Sequence, residues 1–258
     1  MLILLSPAKT LRPSHPPVGP KLPALSNPDA GEQAKQIMEA LSKWSREELA
    51  VKMSLSEKLT DKVHDWHQTW ALDSPFAAGF TFHGDAFKSL DLPSLPAHCL
   101  AEGQRRVRIL HAVYGLLRPC DAYSPVRLEM GQAWSPDPAF GSMHSYWKGI
   151  LPSLVQTHMK AQGHAHILNL ASAEYSQTAL RGLSGERIIN CQFLEERNGN
   201  LRSISAFAKA ARGAMARFVL LEEIRSKKGL QQFQGLGYAF NAEKSEKNLL
   251  VFTRTSPP

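Results

Sequence analysis

Residues 1–5 are all apolar, and Ser6-Pro7 ends the run at once. A short unbroken apolar run bounded by a turn signal predicts a strand buried on both faces. Pro13, Pro16, Pro17, Pro20, Pro23 and Pro28 follow, with Pro7 just before them. Proline fixes φ and lacks an amide donor, so 12–28 is expected to be an irregular surface arm. Helical periodicity then begins, with helices expected near 29–43, 46–52 and 56–70. Ser45-Arg46-Glu47-Glu48 and Ser54-Leu55-Ser56-Glu57 both have the spacing of a capping box, which predicts helix starts at each. Gly79, Gly84, Gly115, Gly131 and several prolines break 75–140 into short pieces around one apolar element at 107–117. A helix is expected over 143–161, bent at Pro152, then a buried strand over 165–171 and a short helix near 173–181. Asn198-Gly199 separates two strand-like runs, 187–197 and 201–205, and Asn-Gly is the preferred type I′ hairpin turn. A long helix over 206–226 and strands at 236–241 and 248–254 complete the pattern. Strands and helices are interspersed without a repeat or a clean linker, which predicts a single mixed α/β (α+β) domain over 1–258.

Composition narrows the class. The chain has 258 residues, 43% hydrophobic and 21% charged, ordinary globular values. No apolar run approaches the roughly 18 residues that a bilayer span needs, and the opening run lacks the basic region and length of a secretory leader. Cys99, Cys120 and Cys191 are few, odd in number and far apart, which suits a reducing compartment, so a cytoplasmic location is expected. Cys120 follows Arg118-Pro119, and a nearby guanidinium would lower its pKa if it faced the thiol; the alternative is an idle buried thiol. The 30 Lys+Arg exceed the 23 Asp+Glu by +7. A net positive chain attracts polyanions, of which nucleic acid is the commonest inside cells.

Helix 206–226 concentrates that charge. At 100° per residue Phe207, Ala211, Ala214, Phe218 and Leu221 share one stripe, while Lys209, Arg212, Gly213 and Arg217 share the opposite side. Small Gly213 and Ala216 would let a bulky ligand approach the backbone there. The functional reading is a cationic rail for phosphates; the alternative is a solvated helix face. The lack of an acidic residue on that side before Glu222 favours the rail.

Several blocks together are more specific. Ser6-Pro7-Ala8-Lys9-Thr10, Gly84-Asp85, Tyr114-Gly115-Leu116-Leu117-Arg118-Pro119-Cys120-Asp121 and Arg127-Leu128-Glu129-Met130-Gly131 resemble the YaaA peroxide-stress family. So do Tyr146-Trp147, Asn169-Leu170-Ala171-Ser172 with Glu174-Tyr175, Lys209-Ala210-Ala211-Arg212-Gly213 with Arg217-Phe218, and Gly237-Tyr238. They run in order along essentially the whole chain. The resemblance implies a protein of the hydrogen peroxide response that limits oxidative DNA damage and is linked to lowered free intracellular iron. It further implies binding to duplex and branched DNA, and a family-specific α/β fold with a positively charged cleft and a helix-hairpin-helix. For that last element, 230–237 with Gly235 and Gly237 fits best, although Tyr238-Ala239-Phe240 reads as a strand; Val113-Tyr114-Gly115-Leu116 is the other candidate.

The expected DNA contacts are Lys9, Arg118, Arg127, Lys209, Arg212 and Arg217. The rival is an enzyme acting on a nucleobase or nucleotide, with Asp85, Asp121 or Glu129 as the acid/base group. Against both stands a structural reading, in which Lys9, Asp85, Arg118, Asp121, Arg127, Glu129, Glu174 and Lys209 are ion pairs that hold an irregular fold together. His64, His67, His164 and His166 lack the spacing of a metal site, and no cofactor or obligate protein partner is expected. An effect on iron would then be indirect.

Overall fold

A computed structural model describes residues 1–12, 23–72, 74 and 76–255. Most of the proline-rich arm, 13–22, lies outside the described residues. In chain order the elements are β1 (Leu2–Leu5), α1 (Gly31–Leu41), α2 (Arg46–Met53), α3 (Glu57–Gln68), α4 (Ala78–Thr81), α5 (Asp85–Leu90) and α6 (Ala97–Arg106). Next come β2 (Val107–His111), β3 (Gly115–Leu117), α7 (Met143–Trp147), α8 (Leu151–Ala161), β4 (Ile167–Asn169) and α9 (Ala173–Ala179). The last are β5 (Ile188–Arg197), β6 (Asn200–Arg202), α10 (Ser205–Leu221), α11 (Lys227–Leu230), β7 (Ala239–Phe240) and β8 (Leu249–Thr255).

The strands form one mixed sheet in the order β3-β2-β1-β4-β5-β8-β7, with β6 hairpinned onto β5. β2, β1, β4, β5 and β8 are mutually parallel, whereas β3, β6 and β7 are antiparallel additions. Every residue of β1 is buried, as an apolar run covered on both faces requires. β1 lies between β2 and β4, so the chain leaves β1 toward one side of the sheet and returns in β4 on the other. Connections that diverge from adjacent parallel strands leave a crevice at their carboxyl ends, where open α/β sheets bind ligands.

Local signals explain most elements. Ser45 and Glu48 form the expected capping box, the Glu48 amide donating to Ser45 and the Ser45 amide to Glu48. The second box is absent: Ser54 ends α2 with φ 50°, and Ser56 precedes α3 without a side-chain cap. The element at 107–117 is two strands, because a turn at 112–114 folds β3 back against β2. The helix expected over 143–161 is likewise two, with Pro152 in the first turn of α8, where its missing amide costs nothing. Asn198 and Gly199 both have positive φ and join β5 to β6 as predicted.

α10 departs most from its expected pattern. Ala208, Ala211, Gly213, Met215, Ala216, Val219 and Leu220 are its buried residues, while Leu221 is exposed. The buried positions cover more than one narrow stripe because α10 is covered from two directions: it contacts the sheet at β5 and packs closely against α5. A Cβ on Gly213 would overlap the carbonyl oxygen of Ala86. The small residues therefore admit a helix of the same chain, not a ligand.

Neither candidate hairpin has two flanking helices. After α11 the chain makes a single tight turn over Gly235–Gly237, with Leu236 at φ 57°, and then enters β7. Val113 and Tyr114 lie in the turn between β2 and β3, and Gly115 opens β3.

Candidate functional site

The crevice above β1 and β4 opens into a pocket of about 320 Å³. Its walls come from the loop after β1 (Ser6, Lys9, Thr10), α5 (Asp85, Lys88), the segment Arg127-Leu128-Glu129, Ser172 with the first turn of α9 (Glu174, Tyr175) and α10 (Lys209, Arg212). Leu5, Val126, Leu128 and Leu170 add apolar lining. Two strand-end loops are tied across it. The Ser172 amide donates to the Ser6 hydroxyl at 2.8 Å, and the two hydroxyls lie 3.1 Å apart.

Some charges here satisfy one another. Glu129 bridges Lys9 at 2.6 Å and Arg127 at 3.3 Å. Glu174 accepts the Gly131 amide at 3.1 Å. The Arg127 carbonyl accepts a hydrogen bond from Nε2 of buried His67 at 3.2 Å, which ties α3 to this wall. Burial pushes the His67 pKa down to about 4, so the ring is a neutral donor.

Others are left over. The side chains of Asp85, Lys88, Lys209 and Arg212 make no hydrogen bond or ion pair with the described residues. Arg212 is partly buried, and burial lowers its pKa from the ordinary arginine value, with only the Cys191 thiol opposing. A sequestered guanidinium without a carboxylate is costly to the fold, and its exposed edge faces the pocket.

The structure thus brings together Lys9, Asp85, Arg127, Glu129, Lys209 and Arg212. It separates them from Arg118, Asp121 and Arg217. Arg217 spans the C-terminus of α5, donating to the Leu90 and Asp91 carbonyls at 3.1 and 3.0 Å. Asp121 is fully buried and accepts from the Ser26 hydroxyl at 2.6 Å and from the Arg118 amide at 2.7 Å. Burial raises its pKa, against the pull of those hydrogen bonds and of Arg118. Arg118 also pairs with Asp29, which His158 meets at 2.7 Å; these residues make a polar network apart from the pocket. Ser6, Ser172, Tyr175, Lys88 and His111 also line the pocket. Their signal in the sequence is position: Ser6, His111 and Ser172 lie at or just beyond a strand end, Lys88 follows Asp85 by one helical turn, and Tyr175 adjoins Glu174.

Cys120 is buried, and burial, then the adjacent Asp121, raises its pKa to about 11, so Arg118 does not activate it. No group of three or more His, Cys, Asp or Glu side chains among the described residues is placed to hold a metal ion. No helix among them is long and apolar enough to cross a membrane.

Fold and site together define a mixed α/β protein with a charged pocket at the switch point of its parallel strands. The family follows from sequence comparison: the family model described as peroxide stress protein YaaA matches residues 1–244, and the chain belongs to that family. It is 36% identical over 255 residues to a UPF0246 protein of Ruegeria sp. (strain TM1040), covering 98% of this chain and 100% of that one. UPF0246 proteins of Shewanella oneidensis and Shewanella sp. (strain ANA-3) are each 33% identical over 258 residues, covering 98% of this chain and 99% of theirs.

Proposed function

We infer that the protein binds duplex and branched DNA in the cytoplasm during peroxide stress, holding it by its phosphates and shielding it from oxidative damage. The observation that supports this most is the pair Lys209 and Arg212, cations on α10 that face the pocket with no partner among the described residues. Lys88 and Lys9 are exposed beside them, and the chain carries a net charge of +7. Arginine forks phosphate oxygens and lysine adds a point charge, so the cluster is an anion site that a DNA backbone can fill. Such binding has little sequence preference. Any effect on free iron then follows indirectly from the protein's place in the stress response. The test is an electrophoretic shift of a duplex and a four-way junction. Wild type should retard both, and Lys209→Ala/Arg212→Ala neither; equal retardation by the variant contradicts the assignment.

One observation favours a second reading, an enzyme acting on a nucleobase or nucleotide. The carboxylate of Asp85 lines the same pocket without a partner among the described residues, where an acid/base group would be needed. Asp85→Asn would then abolish turnover while sparing DNA retention.

A further inference from the structure

We propose that the pocket receives a single nucleotide swung out of the bound DNA, with its phosphate on Arg212 and Lys209 and its base within the pocket. This rests on the DNA-binding reading and gives the pocket a separate task within it.

Size excludes the duplex itself. A sphere of 320 Å³ is about 8.5 Å across, narrower than the roughly 12 Å major groove alone. The volume instead sits at the lower end of small-ligand sites, about 300–1,000 Å³. The lining is also unlike a surface that only tracks a backbone. Leu5, Leu128 and Leu170 back the pocket with buried apolar atoms on which a ring can rest, and the Asp85 carboxylate can accept from an amino or imino group on its edge. Arg212 and Lys209 supply the opposite charge on the α10 wall. An anion with an apolar ring and hydrogen-bond donors is what a nucleotide offers. Extrusion costs the unstacking of one base, least where the base is mismatched or damaged, which would make occupancy selective for lesions.

The experiment uses a duplex carrying 2-aminopurine opposite a mismatch, whose fluorescence rises when the base leaves the stack. Wild type is expected to raise the signal several-fold, saturating together with binding measured by anisotropy. Thr10→Trp narrows the mouth at an exposed position, and Asp85→Ala removes the edge acceptor. Each should lose the rise while anisotropy still reports binding. DNA binding without a rise in wild type overturns the extrusion and leaves the DNA reading standing. A full rise in both variants also overturns it, and no binding by wild type removes both proposals.

Discussion

The backbone amide of Ser172 donates to the hydroxyl of Ser6 at 2.8 Å, across 166 positions of chain, and so joins the loops leaving β1 and β4. Those loops diverge from adjacent parallel strands, and the bond fixes the crevice between them. Ser6→Ala should strand a part-buried amide and cost about 1–3 kcal/mol. Chemical denaturation would measure that loss, and DNA affinity should fall with it because Lys9 lies on the same loop.

Under the proposed DNA binding, Arg212 is a place where function opposes stability. Replacing it with methionine keeps the stem and removes a partly buried charge that has no partner among the described residues. Arg212→Met should raise stability by about 0.5–2 kcal/mol while weakening DNA binding. A thermal melt beside a binding titration reads both; a destabilised variant would mean that the guanidinium is structural.

Gly213 sets the spacing of α5 and α10. An added methyl would overlap the Ala86 carbonyl oxygen, and backbone on both sides has little freedom to yield. Gly213→Ala should cost about 3 kcal/mol or more. Because α5 carries Asp85 and α10 carries Arg212, the pocket should loosen too, seen as faster hydrogen exchange in α5.

Two buried histidines set an acid limit. Burial lowers His67 to about 4 and His111 to about 3, against an unfolded value of 6.5. The unfolded chain therefore binds more protons below pH 6.5, and stability falls with acidification through the folded values. Above pH 6.5 both rings are neutral in either state and contribute no slope. Denaturation midpoints should drop between pH 6.5 and 4, and His67→Gln, which can still donate to Arg127, should drop less steeply.

All three cysteines are buried, and burial pushes Cys120 to about 11, Cys191 to about 12 and Cys99 upward. A thiolate is the reactive form. The native protein should therefore resist a thiol reagent and mild peroxide, with three thiols titrating after denaturation; rapid native labelling at Cys120 would reopen a sensing role.

Local chemistry was readable where one residue decides the backbone: the apolar run of β1, the Ser45 capping box, and the Asn198-Gly199 turn. It misled where tertiary packing decides. Of the polar side expected on α10, Lys209 and Arg212 line the pocket, whereas α5 covers Gly213 and takes Arg217 as a cap. No periodicity encodes that, because α5 is six residues long and arrives from 120 positions away. Asp85 and Glu129 converge with Lys9 at the pocket, while Asp121 lies in the Asp29 network. All three follow glycine, proline or strand-end signals, and only the order of strands in the sheet separates them.

The most direct measurement is the salt dependence of binding to a duplex, wild type against Lys209→Ala/Arg212→Ala. Phosphate contacts release counterions, about 0.9 per contact on duplex DNA. A wild-type slope corresponding to several phosphates, with the variant losing about two contacts and most of its affinity, is the predicted result. A wild type indifferent to DNA, or a variant with the same slope and affinity, would contradict the assignment of Lys209 and Arg212 as DNA contacts.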